Sequence, residues 1–396
     1  MFLTKLEEKM LSGEYGEAVA LAMKVIVKVG ESLGAEKLVK VRHVHVSGVS
    51  YSNIGEPGAR FIEKLAKLGG RVSVYTTSNP TCIDLYGSTR IFDEKLVMGQ
   101  KKINSALEKM GISPSYTCIP YLISKPSVSE HLAWGESNAV AMANSVYGAR
   151  TNREGGPLTL LAAIVGRTSY AGLHLMENRV ARTLVEYTAF SKLDDYWGSL
   201  LGLYIGDNIS DIPFVKGFSE ASFLGIKELL ASAAATGSHG LIVLDGITPR
   251  ESYSVDINEK IIVDEKELRN YMDKISTQYD DKGYILAYVG CPHLTLNELN
   301  KLANLVNQYT KIKSNVKFLV TIPYMYKGVV DDIVTILRKK GIEVAYGTCP
   351  IVSRLREKPD LVITNSGKAL FYLKKLHGLE VSLASIEDMV KEVMVK

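Results

Sequence analysis

The chain has 396 residues, 46% of them hydrophobic and 23% charged, with a net charge of +4. That length can bury a large core and ordinarily holds two or more domains. The small net charge and the lack of like-charged blocks give no reason to expect nucleic acid, and no apolar run reaches the length a membrane helix needs.

The N-terminus, Met1-Phe-Leu-Thr-Lys-Leu-Glu-Glu-Lys9, is amphipathic and carries acids, unlike a signal or transit peptide, so the cytoplasm is the expected compartment. Residues 4–33 read as two helices split by Gly13, the second mostly apolar and rich in good helix formers. A strand over 39–46 ends in the Ser47-Gly48 turn. A helix over 55–68 follows, with Pro57 in its first turn, where a missing N–H costs nothing. Residues 71–75 form the next strand, and strand, glycine turn, helix, strand is the signature of a mainly parallel sheet. A helix over 101–109 leads into 115–118. Residues 136–146 and 157–165 read as buried, alanine-rich helices. The stretch 170–215 is less regular, and its apolar run 196–203 has no assigned state. A helix over 219–235 precedes a buried strand over 240–244.

From residue 284 the alternation is clear. Strands are expected at 284–289, 316–321, 342–346, 361–364 and 381–383. Helices are expected at 296–308, 329–340, 367–376 and 386–395. This is a doubly wound α/β unit, in which ligands sit outside the carboxyl ends of the strands. Seams near 120–135 and 210–220 suggest an N-terminal α/β domain (1–125), a middle segment with a substrate loop (126–215) and a C-terminal doubly wound domain (216–396).

Four cysteines are too sparse for a secreted disulfide scaffold, and no CxxC pair provides local metal-ligand spacing. Cys118, Cys291 and Cys349 each occupy a strand-end position within two residues of a proline. Three thiolates meeting there could hold an iron–sulfur cluster and leave one iron without a protein ligand. Packed, inert thiols are the alternative. Cys82 lacks that Gly/Pro setting and reads as a packed thiol.

Several loops carry candidate ligand groups. Gly48, Val49 and Ser50 follow one strand, and Asn79 and Pro80 follow the next. Glycine there lets backbone N–H groups approach an anion closely, and the two loops should lie side by side. Ser137 and Asn138 open the first alanine-rich helix. Arg150 and Asn152, beside Arg153, offer guanidinium and amide donors to a carboxylate or phosphate. Lys368 sits at a helix N-terminus, a ready anion site, although a solvated first-turn lysine is the more common outcome there. His43, His45, His131 and His293 could act as acid–base groups or be core histidines, and His293 lies close to Cys291. Glu56 and Glu154 read as helix caps.

Four separated stretches resemble the aconitase superfamily, and its aconitase X branch in particular. They are His45-Val-Ser-Gly-Val-Ser-Tyr-Ser-Asn-Ile-Gly-Glu-Pro-Gly58, Thr76-Thr-Ser-Asn-Pro80, Ala143-Asn-Ser-Val-Tyr-Gly-Ala-Arg-Thr-Asn-Arg-Glu-Gly155 and Gly290-Cys-Pro-His293. The resemblance implies an aconitase-like α/β fold, with several three-layer doubly wound units around a central cleft. It implies an iron–sulfur hydro-lyase whose cluster (4Fe–4S, or 3Fe–4S as isolated) is held by Cys118, Cys291 and Cys349. The substrate would be held by Gly48, Val49, Ser50, Asn79, Pro80, Ser137, Asn138, Arg150, Asn152 and Lys368. Aconitase X enzymes are single long chains with a C-terminal swivelling domain, or heterodimers in which a small subunit supplies it. This chain looks like the large subunit of a heterodimer, with the serine base expected on the small partner and no catalytic base here. That form implies dehydration of a small phosphorylated hydroxy acid, mevalonate 5-phosphate. A two-subunit cis-3-hydroxy-L-proline dehydratase and a non-catalytic binding subunit are the alternatives.

Overall fold

A computed structural model describes residues 1–87, 89–189, 192–218, 220–278 and 283–396. The chain forms two compact units. One comprises Met1–Thr81, Lys95–Ala181 and Gly240–Asp256, and the other Cys82–Glu94, Arg182–His239 and Ile257–Lys396.

In the first unit, helices Lys5–Ser12 and Glu17–Ser32 separate at Gly13, which adopts the left-handed conformation that favours glycine. Thr4 closes the first helix with a reciprocal capping box to Glu7. The expected strand 39–46 is two strands. Leu38–Lys40 pairs antiparallel with Arg167–Ser169, and His43–Val46 enters a parallel sheet. The hand-over occurs where Val41 N donates to Gly166 O and Arg42 N to His131 O. The expected strand 71–75 is displaced to Tyr75–Ser78. Its apolar residues Val72 and Val74 pack on the core instead, and the 72–73 amides bond Met110 O and Ala163 O. Helix Tyr51–Lys67 begins one turn before the expected start, with a kink at Gly55, and the expected Pro57 start opens the second piece.

The three-stranded sheet of this unit has the order Tyr75–Ser78, His43–Val46, Leu132–Trp134, all parallel. Helices Glu17–Ser32, Tyr51–Lys67, Val97–Lys109 and Gly156–Val165 supply the apolar core around it, including Met23, Ile26, Ile62, Leu65, Ile103 and Leu161.

In the second unit, a five-stranded parallel sheet has the order Glu343–Tyr346, Val316–Ile322, Ile285–Val289, Leu361–Thr364, Val381–Leu383. All five residues of Ile285–Val289 are buried, as expected of a parallel strand covered on both faces. Helices Leu296–Val306, Asp331–Lys339, Gly367–His377 and Ile386–Val393 match the expected alternation. The last helix stops short of the expected end because Met394–Val395 pairs antiparallel with Lys311–Ile312. The unassigned run 196–203 lies inside helix Asp195–Asn208, which packs against helix Phe223–Thr236. The expected start of the latter, Ser219, lies outside the described residues. Strands Val180–Tyr187 and Ser254–Val263 were not anticipated.

Candidate active site

Because the three short strands of the first unit are parallel, the loops after them emerge at one edge. The expected neighbours do lie side by side, since Val46 pairs with Ser78 and Asn79 N donates to Val46 O at 2.9 Å. The third loop, 135–138, joins them after Trp134. Gly48 itself has φ of +64°, and a Cβ on it would meet the Cα of Gly156 at 3.3 Å. The backbone of the Ser47-Gly48 turn is thereby pressed against the start of helix Gly156–Val165.

Glu136, which the sequence did not single out, caps helix Ser137–Ser145 by accepting from Ala139 N at 2.7 Å. Asn138 is fully buried in that first turn. Its Nδ2 donates to Cys118 O at 3.2 Å and to the Tyr121 hydroxyl at 3.1 Å. Thr117 N donates to Ser78 O at 2.9 Å, so the segment bearing Cys118, which forms no strand and thus departs from the expected strand-end position, runs beside Asn79 and Asn138. Among the first-unit candidates, Gly48, Asn79, Asn138 and Cys118 are therefore brought to one sheet edge.

Arg150 and Asn152 have different work. Arg150 Nη1 donates to His174 O at 3.0 Å. Asn152 Nδ2 donates to Ala171 O at 3.0 Å, and its Oδ1 accepts from Leu173 N at 2.8 Å. Both side chains pin the 171–174 turn. Arg179, missed by the sequence reading, is fully buried. It donates to Ser252 O, Leu173 O and both oxygens of Asn144. The expected caps are also something else. Glu154 is buried and accepts from the Thr168 hydroxyl at 2.6 Å, with burial pushing its carboxyl up, while Gly155 holds the N-cap position. Glu56 forms exposed pairs with Arg60 and Lys102.

Burial lowers His43, His45, His131 and His174 below the ordinary imidazole value. His43 is pushed down to about 3 by desolvation, then by His45 and Arg42. His45 falls to about 4, again by desolvation, against opposing contributions from Glu136, Asn79 and the Thr117 backbone. His131 and His174 form a pair with their Nδ1 atoms 2.9 Å apart.

In the second unit, Cys291 follows strand Ile285–Val289 and Cys349 follows strand Glu343–Tyr346, both at the carboxyl edge of one parallel sheet. His293 Nε2 donates to Thr348 O at 3.0 Å, tying the two cysteine loops together. Gly290 O, just before Cys291, accepts from Thr321 Oγ1 at 2.8 Å. Beneath the loop, the fully buried Lys227 donates to His293 O at 3.3 Å and to Glu298 Oε2 at 2.6 Å. Lys368 lies in the first turn of helix Gly367–His377, capped by Ser366, and is buried rather than solvated. Cys118, Cys291 and Cys349 retain 9%, 5% and 8% exposure, whereas Cys82 has none. In the second unit, soft thiol donors at two strand ends of one parallel sheet, braced by hydrogen bonds behind their loops, are chemically suited to an iron–sulfur group. Two of these thiols belong to the second unit and one to the first. Among the described residues no group of three or more His, Cys, Asp or Glu stands ready to hold a metal ion. Nor is any described helix long and apolar enough to cross a membrane.

Comparison with known proteins gives this geometry its relatives. Models of the aconitase X first, second and third domains match residues 1–177, 180–273 and 284–395. The chain is 37% identical to the phosphomevalonate dehydratase large subunit of Thermococcus kodakarensis, over 99% of this chain and 100% of that one. The chain belongs to the aconitase X family. A crystal structure of Thermococcus kodakaraensis aconitase X in its holo form superposes with a TM-score of 0.90 at 36% identity, covering 99% of this chain and all of that one. The expected aconitase-like α/β fold is thus that of this aconitase X chain. The cis-3-hydroxy-L-proline dehydratase of Hypocrea jecorina is 32% identical over 98% of this chain but only 68% of its own length.

Proposed function

We propose that this chain is the large subunit of a hydro-lyase that dehydrates (R)-mevalonate 5-phosphate to trans-anhydromevalonate 5-phosphate, with a small subunit as its partner. One observation carries the reading: a phosphomevalonate dehydratase large subunit is matched end to end, whereas the hydroxyproline dehydratase is matched over part of its length.

Cys118, Cys291 and Cys349 are the residues we assign to an iron–sulfur cluster. When bound, such a cluster supplies Lewis acidity toward a departing hydroxyl. The remaining work belongs to the chain's own groups. Gly48, Val49, Ser50 and Pro80 shape the backbone around the anionic ends of the substrate. Asn79, Ser137, Asn138 and Lys368 offer donors to its oxygens. Arg150 and Asn152 hold the 171–174 turn. The proton-accepting serine is assigned to the small subunit.

The experiment is co-expression with the small partner, anaerobic purification and assay on both candidate substrates. A brown complex that dehydrates mevalonate 5-phosphate is expected. Replacing Cys118, Cys291 or Cys349 singly by Ser should remove colour and turnover together, while Cys82→Ser keeps both. Turnover of cis-3-hydroxy-L-proline alone, or a colourless, iron-free complex after reconstitution, would overturn the reading.

A further inference from the structure

The first-unit sheet contains a hydrogen-bond chain whose direction is set by one residue. An indole N–H can only donate. Trp134 Nε1 lies 2.9 Å from His43 Nδ1, so that nitrogen accepts and carries no proton. A neutral ring then bears its proton on Nε2, which lies 3.3 Å from Thr77 Oγ1. The threonine hydroxyl accepts there and passes its single proton on to His45 Nδ1, 2.8 Å away. His45 in turn bears its proton on Nε2, 3.3 Å from Asn79 Oδ1, and an amide oxygen accepts. Every step follows from the first, because each hydroxyl or neutral ring has one proton to give. Trp134, His43, His45 and Thr77 are all essentially buried, so water does not compete for these groups. Burial also keeps both rings neutral at pH 7, which the sequence of donors requires.

The chain ends at the candidate site. With Oδ1 occupied, the Asn79 amide cannot flip without placing its NH2 against the His45 N–H. Its Nδ2 has no protein acceptor among the described residues, and its backbone N–H is already committed to Val46 O. We propose that Trp134, His43, Thr77 and His45 are positioning residues that lock the Asn79 amide with Nδ2 turned toward an anionic oxygen of the substrate. This deepens the functional reading given above and rests on it for the identity of that substrate.

The test uses the complex of this chain with its small partner, with histidine selectively labelled with 15N. Two-bond 15N–1H correlation at pH 7 reads the tautomer of each ring without recourse to activity. Both His43 and His45 should be Nε2–H. Thr77→Val removes the hydroxyl at nearly unchanged volume. It should leave His43 as Nε2–H, release His45 into a tautomer mixture and raise KM for mevalonate 5-phosphate about tenfold, the worth of one hydrogen bond, with kcat within about twofold. Thr77→Ser should restore both. An Nδ1–H tautomer at His45 in the unaltered chain would overturn the proposal, as would Thr77→Val leaving tautomer and KM unmoved. If the complex does not act on mevalonate 5-phosphate at all, the tautomers still decide the relay, and only the substrate assignment fails.

Discussion

Lys227 shows how a single buried charge serves the second unit. Its ammonium, with no exposed surface, joins the Glu298 carboxylate to the carbonyl of His293, two residues after Cys291. Beside it Glu228 is buried, and desolvation holds its carboxyl well above the usual range. Removing one partner of a buried pair costs about 3–5 kcal/mol, because the other charge is left stranded. Lys227→Met should therefore destabilise by that amount in urea unfolding, and Lys227→Met with Glu298→Gln should recover most of it. His174 supplies a different signature. Burial first, then His131, Arg179 and Arg150, lower it to about 3. The unfolded ring, with its ordinary value near 6.5, takes up a proton that the folded one refuses. Its contribution to stability is complete above pH 6.5 and drains away as the pH falls toward 3. The raised Asp195 and Glu228 carboxyls act with the opposite sign, since their contribution is lost as the pH rises, but they are common to any His174 variant. The stability gap between the natural chain and His174→Gln should thus narrow by about 2 kcal/mol between pH 7 and pH 5.

At the scale of elements, the helix pair Asp195–Asn208 and Phe223–Thr236 owes its closeness to Gly198, Gly202 and Gly206. Their spacing of four aligns them on one helix face. A Cβ at Gly198 would overlap the Gly225 carbonyl, and one at Gly202 would overlap the Leu229 carbonyl. Gly202→Ala gains helix propensity of about 1 kcal/mol but forces two backbones apart, at a cost of about 1–3 kcal/mol or more where no side chain can yield. A net loss of thermal stability is expected, and calorimetry would show it. This seam also explains why 196–203 resisted assignment from sequence. Apolar residues surround the helix, so no polar face marks its period, and the glycines argue locally against a helix that tertiary packing then enforces. Strand Val180–Tyr187 was missed for another reason. Its inward Ala181, Thr183, Val185 and Tyr187 alternate with partly exposed residues, a period of two that was legible but overlooked. Ser254–Val263 is mostly exposed, and Glu259 and Ile262 interrupt the alternation of its apolar residues.

Across the whole molecule, legibility followed burial. The second-unit sheet could be read strand by strand because parallel strands covered on both faces appear as unbroken apolar runs. The first-unit sheet carries His43, His45, Thr76, Thr77 and Ser78 in its interior, polar residues that break up the apolar run by which a buried strand is recognised. The loops that gather Gly48, Asn79 and Asn138 were visible because they follow strands, whereas Cys118 lies on a segment without strand structure. The acceptors of Arg150 and Asn152 were not, since a sequence displays donors without showing which carbonyls lie opposite them. The order in which the units draw on the chain has a consequence for synthesis. The polypeptide passes between them five times, after residues 81, 94, 181, 239 and 256. A nascent chain leaving the ribosome cannot finish the first body until residue 256 has emerged, by which time two segments of the second are already waiting. Neither body corresponds to one continuous stretch, so neither can be cut out as a single segment and made alone.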